Sequence, residues 1–380
     1  MTLFLTVFFL LYGSLHGYVF LKVRPLLPGA VKTHIIIIAF MILMIVAPVL
    51  VRMLEKAQHE SAARILAYAG YTWMGALFIL FVIFILFDIV HLFIWLGGLI
   101  IRKNILSISI MPLNIFFIAT VSTLCIVTYG YFEARNIRTH RIYLESNKIS
   151  RDMNELRIVQ ISDVHLGLIV REKRLQAIIQ KIKEANPHIL VSTGDLVDGQ
   201  INNLSELVAM LQEVKPPYGK YAITGNHEFY AGITSALAFT EKTGFRMLRG
   251  EAITIPGIIN IAGVDDPAGK AYGLSKNISE LELLSHLPKD LFTLLLKHRP
   301  EVDKTATGLF DLQLSGHTHT GQVFPFRYIT RLFFPMYSGF FKLDNGSYMY
   351  ASKGTGTWGP PFRFLTPPEI TVIHLTRQKK

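Results

Sequence analysis

Arg157-Ile158-Val159-Gln160-Ile161-Ser162-Asp163-Val164-His165 is an apolar-rich run that closes on a carboxylate and an imidazole. It predicts a short strand over 157–162, with Asp163 and His165 just past the carboxyl end. The same grammar recurs downstream. The predicted strand 188–193 runs into Gly194-Asp195, and 220–224 runs into Gly225-Asn226-His227-Glu228. Further strands are predicted at 259–264, 291–297, 311–315, 347–352 and 369–375, and two of these lead to His298 and to Gly316-His317-Thr318-His319. Residues 171–185 carry Leu175, Ile178, Ile179 and Ile182 at helical spacing, and 203–214 is a second helix candidate. Strands alternating with helices early and clustering later predict two packed sheets with helices outside. Open α/β sheets bind ligands beyond the carboxyl ends of their strands, where these Asp, Asn and His residues fall.

Taken singly, each piece is ordinary: Asp-x-His is common, Gly-Asp is a frequent turn, and a lone histidine is more often structural than a ligand. If 317–319 were strand-like, His317 and His319 would point to one side and face adjacent cations. Together the pieces supply enough nitrogen and oxygen for two divalent cations, and a pair about 3.5–4 Å apart cleaves phosphate esters in many enzymes. Mixed N/O ligation without thiolate suits Mn, Fe or Zn. With Asp163 and Asp195 returning two negative charges, the pair keeps a net positive field for a phosphate and for a bridging hydroxide that attacks phosphorus in line.

The motifs Asp163-x-His165, Gly194-Asp195-x-x-Asp198, Gly225-Asn226-His227-Glu228, His298 and Gly316-His317-x-His319 resemble those of the calcineurin-like metallophosphoesterases. The resemblance covers about residues 155–376, and the runs at 354–359 and 367–370 resemble a membrane-anchored bacterial branch. It implies a four-layer α/β/β/α sandwich preceded by an all-α transmembrane region of about four helices. It further implies that Asp163, His165 and His319 hold one cation, that Asn226, His298 and His317 hold the other, and that Asp195 bridges both. His227 would leave the cations alone and protonate the leaving oxygen or stabilise transition-state charge. Family members often carry Asp after this histidine; here Glu228 stands there, long enough to orient His227 or to accept another hydrogen bond. Lys297 is either a phosphate contact or, by strand alternation, turned away from His298.

Working outward, the 380 residues divide into a transmembrane region 1–132, a polar linker 133–154 and a catalytic domain 155–376. Apolar segments at 3–21, 34–51, 72–100 and 106–130 each suit about 20 residues of membrane-crossing helix. The first lacks the basic start and cleavage site of a signal peptide, so it reads as a retained helix. Asp88 and His91 share one helical face inside the third segment, either as a functional pair or as polar glue between helices. Eight basic residues (Arg52, Lys56, Arg64, Arg135, Arg138, Arg141, Lys148, Arg151) lie on the catalytic domain's side, against five (Lys22, Arg24, Lys32, Arg102, Lys103) on the other. The positive-inside rule then places the domain in the cytoplasm of a multi-pass protein. The single cysteine, Cys125, excludes an intrachain disulfide, and the net charge of +11 suits anionic lipid headgroups or nucleic acid.

Residues 323–343 interleave aromatics with Arg327, Arg331 and Lys342 directly after the histidine motif. They form either a plain cover for the sheet or a lip at the membrane interface, with Arg327, Arg331 and Arg363 as phosphate contacts. Three functions follow: hydrolysis of a lipid-linked phosphodiester or pyrophosphate, as in superfamily members that cleave UDP-diacylglucosamine; hydrolysis of soluble substrates by an anchored enzyme; or a non-catalytic scaffold, against which the intact donor set argues. The expected partners are the bilayer and a lipid-linked phosphate, with no nucleic acid.

Overall fold

A computed structural model describes residues 2–102, 110–199, 205–276 and 278–378. The chain forms two compact units, residues 1–131 with 359–361, and residues 132–358 with 362–380.

The first unit is helical: α1 (Thr2–Val23), α2 (Val31–Lys56), α3 (Glu60–Ile100) and α4 (Pro112–Glu133). All four are long and apolar enough to cross a membrane. Their outward faces show why. Leu10, Leu11, Ile35, Ile36 and Leu124 are exposed to more than half their surface, and a helix apolar all round needs lipid or a deep core. Tyr12, Val19, Leu77, Phe84, Ile115 and Ala119 pack inside the unit. Gly70 lets α3 approach Ala47 of α2, where a Cβ would come within 2.9 Å. Helix α3 begins at Glu60, well before the expected 72–100, and its 41 residues span about 60 Å. Asp88 accepts hydrogen bonds from Tyr18 at 2.6 Å and Lys22 at 2.5 Å, across to α1 rather than along its own helix to His91. That is the polar glue. Lys103 and the start of the fourth expected segment, 106–109, lie outside the described residues.

The second unit runs β1 (Arg138–Glu145), β2 (Leu156–Ile161), α5 (Glu172–Ala185), β3 (Ile189–Ser192), α6 (Ser205–Gln212), β4 (Lys220–Ala222), α7 (Asn226–Ala231), α8 (Ile233–Lys242), β5 (Arg246–Met247), β6 (Glu251–Ile255) and β7 (Ile259–Gly263). It continues through α9 (Ala268–Ala271), α10 (Glu280–Ser285), β8 (Phe292–Leu296), β9 (Leu312–Ser315), α11 (Arg327–Phe333), β10 (Gly339–Lys342), β11 (Tyr348–Ala351) and β12 (Glu369–Thr376). One six-stranded sheet has the order β1-β12-β2-β3-β4-β5 and the other β10-β11-β9-β8-β7-β6. Strands β2 to β5 run parallel, as do β7, β8, β9 and β11.

The core fills the space between the sheets: Ile158, Val191 and Ile373 from the first meet Ile261, Leu294, Leu296 and Leu314 from the second. Alternation turns Leu295 to the opposite face, where it meets Leu284 of α10. Helix α5 buries Leu175, Ile178, Ile179 and Ile182 as its spacing predicts, and ends at Asn186 in a left-handed cap. The second expected helix is α6, and residues 203–204 of that expectation lie outside the described residues.

The sandwich thus matches the expected architecture, with one correction at its edge. Residues 138–145, expected as linker, form β1, paired in parallel with β12 over the whole strand. Only Ile142 among them is fully buried. An edge strand can be held by its backbone ladder and needs no apolar run, so its sequence looks like a connection.

Candidate metal centre

The loops after β2, β3 and β4 of the first sheet and after β8 and β9 of the second converge at one edge of the sandwich. Beneath them Gln160 donates to Ser315 O at 3.0 Å and to Thr193 Oγ1 at 2.9 Å, tying the sheets together. The approach is close enough that a Cβ on Gly225 would overlap the Asp195 carboxylate, and one on Gly316 would overlap Ser162.

All seven predicted ligands arrive here. His165 Nε2 and His319 Nε2 lie 3.0 Å apart, and Asp163 Oδ1 is 3.6 Å from His319 Nε2. His298 Nε2 and His317 Nδ1 lie 3.2 Å apart. Asp195 Oδ2 stands between the two sets, 3.8 Å from His165 Nε2 and 3.3 Å from His298 Nε2. Its other oxygen accepts the His227 backbone N–H at 2.8 Å, which frees Oδ2 for the centre. Asn226 Oδ1 is buried with no hydrogen-bond partner. These nitrogen and oxygen donors converge on one another, Asn226 Oδ1 lacks any partner, and divalent cations fit such a set. Asp163, His165 and His319 form one cluster of possible ligand atoms within 4.8 Å of one another, and Asp195, His298 and His317 form another.

The backbone is bent to achieve this. Asp163, His165, Asp195, His317 and His319 have φ of 53°, 54°, 52°, 73° and 46°. Left-handed backbone is uncommon for residues other than glycine and strained when it occurs, and it clusters at functional sites. Here it is pinned by hydrogen bonds from Asp163 N to Gly194 O, from His165 N to Asp195 O, and from His317 N to both Asp163 oxygens, each 3.0 Å. His317 and His319 therefore lie in a sharp turn rather than in strand-like backbone, which corrects the expectation for that stretch.

Burial, reinforced by the charge of His227, pushes His165 down to about 3. Burial and then His298 push His317 down to about 3. Burial and then the Arg363 charge hold His319 well below its ordinary value. All three are neutral at pH 7, as ligation requires. For His298, burial opposes the charged form, but Asp195 outweighs it and the value rises to about 10. In the metal-free protein His298 therefore keeps a proton against Asp195.

His227 stands differently. Its Nδ1 lies 2.9 Å from Asp198 Oδ1, which leaves Nε2 as the nitrogen free for chemistry in the cavity it lines. Burial works against its charge, but Asp195 and Asp198 outweigh it and raise the pKa to about 9. The spacing Gly194-Asp195-x-x-Asp198 contains the signal for this pair, which sequence reasoning left without a role.

The calcineurin-like phosphoesterase family profile matches residues 156–321. A metallophosphoesterase of Aquifex aeolicus is 42% identical over 246 residues, 64% of this chain and 94% of that protein. The chain belongs to the calcineurin-like phosphoesterase family. A transmembrane protein with metallophosphoesterase domain from Danio rerio is 30% identical, over 68% of this chain and 62% of that one. A solved 5'-nucleotidase precursor from Thermus thermophilus is 16% identical with a TM-score of 0.38, covering 59% of this chain and 54%, about half, of that one. The protein is a membrane-associated, metal-dependent phosphoesterase whose donor clusters are consistent with a dinuclear site.

Five residues of this phosphoesterase now have defined places: the alternatives open for Glu228 and Lys297 resolve, while Arg363, Arg327 and Arg331 lie off the cavity. Glu228 turns away from His227: Oε2 accepts from Gly225 N at 2.7 Å and Asp195 N at 3.0 Å, and Oε1 from Leu196 N at 2.8 Å. It shapes the loop that presents Asp195, while Asp198 orients His227. Lys297 pairs with Glu280 at 2.5 Å, outside the cavity, as strand alternation allowed. Arg363, expected on substrate phosphate, is fully buried. It donates to Gly356 O at 2.6 Å, Lys353 O at 2.7 Å and Thr366 O at 3.2 Å, and its Nη2 lies 2.9 Å from His319 Nδ1. It braces a ligand and cannot reach substrate. Arg327 donates to Leu365 O at 2.6 Å, and neither Arg327 nor Arg331 lines the cavity.

Proposed function

We propose that this phosphoesterase is a multi-pass membrane hydrolase that cleaves a lipid-linked phosphate ester or pyrophosphate at the cytoplasmic face. The observation that carries the reading is a cavity of about 300 Å³ in which His165, Asp195, Asn226, His227, His317 and His319 share the walls with apolar side chains. Phe326, Ile329 and Phe333, spaced along one face of α11, make one wall with Phe334, and Trp358 stands beside His227. A phosphate at the ligands would leave its attached chain against hydrocarbon rather than water. Multi-pass insertion is supported by the order of contacts between α1 and α3. His16 meets Trp73, Tyr18 meets Phe81 and Lys22 meets Asp88, so the two helices run in the same direction, as first and third spans must. The cytoplasmic side rests on the eight-to-five balance of basic residues.

When bound, two divalent cations of Mn, Fe or Zn type supply Lewis acidity to the phosphate oxygens and lower the pKa of water. The chain supplies the rest. Asp163, His165 and His319 hold one position, Asn226, His298 and His317 the other, and Asp195 faces both. His227, held by Asp198, presents Nε2 to donate a proton to the departing oxygen.

Short-chain, water-soluble phosphodiesters test the substrate class without a bilayer. Adding four methylenes that enter the apolar wall favours the longer ester by about 3 kcal/mol at most, roughly 200-fold in kcat/KM. Phe333→Ser should remove most of that gain. Equal kcat/KM with and without the alkyl chain would favour soluble substrates and refute the lipid reading.

A further inference from the structure

Helix α11 has two working faces. One, through Phe326, Ile329, Thr330 and Phe333, lines the metal cavity. The opposite face presents Tyr328, Arg331 and Leu332, spaced to lie together on the helix surface. Leu332 is 80% exposed, the highest value among the large apolar side chains described in the α/β unit, and Tyr328 is 60% exposed. Solvent alone does not select such a surface.

The charge around it is one-sided. No Asp or Glu occurs between Asp311 and Asp344, whereas Arg327, Arg331 and Lys342 do. Arg327 lies over the Phe324 ring at 5.3 Å, and Arg331 is exposed. Apolar tips, a tyrosine and unopposed cations on one short face are the composition of segments that rest in a lipid headgroup layer. The same chain carries four helices long and apolar enough to cross a membrane, which would tether this unit to a bilayer.

We infer that the outward face of α11 docks into an anionic bilayer surface, with Leu332 entering the hydrocarbon boundary, Tyr328 at headgroup depth, and Arg327 and Arg331 meeting lipid phosphates. A protein partner would be expected to offset this positive field with its own acids; the bilayer offers the opposite charge and an apolar layer together. The docking does not depend on the substrate proposed above, since an enzyme for soluble phosphates could dock in the same way. Its place in function would be to set the mouth of the cavity against the headgroup layer.

The test uses the full chain in nanodiscs, in a Cys125→Ser background, with a nitroxide at Leu332→Cys and a control nitroxide at Lys181→Cys on the exposed side of α5. Electron paramagnetic resonance reads collision with oxygen, which concentrates in hydrocarbon, against a water-soluble nickel chelate. With a third of the phospholipid anionic, the Leu332 probe should be oxygen-accessible and the Lys181 probe should remain aqueous. Each arginine should contribute about fivefold to docking. The Arg327→Ala/Arg331→Ala pair should therefore weaken docking roughly 25-fold and return the Leu332 probe toward water. Retention of two cations per chain would show that this variant is folded. A Leu332 probe as aqueous as the control in both anionic and neutral nanodiscs would overturn the inference. So would a probe shielded equally from both reagents in micelles and nanodiscs, because a protein surface would then cover the face. Loss of docking with an unchanged alkyl-chain preference would leave the substrate reading standing, and the reverse result would remove that reading alone.

Discussion

Replacing Arg363 by methionine keeps the length and apolar volume of the stem but removes every donor. In the folded unit its guanidinium serves the carbonyls of Gly356, Lys353 and Thr366 and faces Nδ1 of His319. The substitution leaves those four acceptors buried and unpaired at about 1 kcal/mol each, roughly 3–4 kcal/mol together. Part of that loss is offset because a charge no longer has to be desolvated. The effect of interest is narrower. Arginine has only donors, so it holds His319 from the side away from the cations. Loss of such an outer contact typically weakens metal affinity 10- to 100-fold. The first position, built on Asp163, His165 and His319, should empty before the second. Metal analysis after graded dialysis against chelator should show the variant pausing at one cation per chain where the parent holds two. Arg363→Lys keeps the charge without the fork and should fall between them. If the methionine variant melts earlier yet holds both cations with unchanged affinity, Arg363 braces the loop alone and the reasoning fails.

His227→Ala should lower kcat by roughly 10²- to 10⁴-fold with both cations retained, and Asp198→Asn should give a smaller loss with the same metal content; kinetics paired with metal analysis check both. Glu228→Ala leaves the backbone N–H groups of Gly225, Asp195 and Leu196 buried without their acceptor, at about 1–3 kcal/mol each. That variant should lose cations through the Asp195 loop, which thermal melts with and without added metal would register as a diminished metal-induced shift. Metal binding should also be pH-linked. His298, raised to about 10, carries a proton at neutral pH that the second cation must displace. The apparent affinity should therefore rise about tenfold per pH unit above neutrality, level off near pH 10, and steepen below about 6, where Asp163 also protonates. Calorimetry in buffers of different ionisation heat reads the released proton directly.

What was legible follows from how each residue is held. All seven ligands sit at the ends of apolar strands, so periodicity placed them at one edge of the sandwich while the family resemblance singled them out as ligands, and α5 followed from its spacing. The left-handed backbone that aims the ligands left no trace beyond interleaved glycines, because the residues adopting it are Asp and His. Strand β1 escaped because an edge strand held by its ladder needs little apolar pattern. Arg363 misled because arginine after Gly-Pro-Pro reads as a surface cation, and its burial is arranged by carbonyls of an irregular segment with no period to detect. In α11 the aromatic run was visible but its division between a cavity face and an outward face was not, since that depends on about two turns of helix bounded by Pro325 and Pro335.

The five left-handed ligand positions make the centre a sprung clasp. At about 1 kcal/mol or more apiece, the peptide resists the shape that the cations require by roughly 5 kcal/mol. The cations are then fasteners as well as reagents. Starved of them, the enzyme would slacken at the loop ends while the two sheets beneath stayed rigid. Metal supply would thus set the fraction of molecules whose machinery is assembled before any substrate arrives.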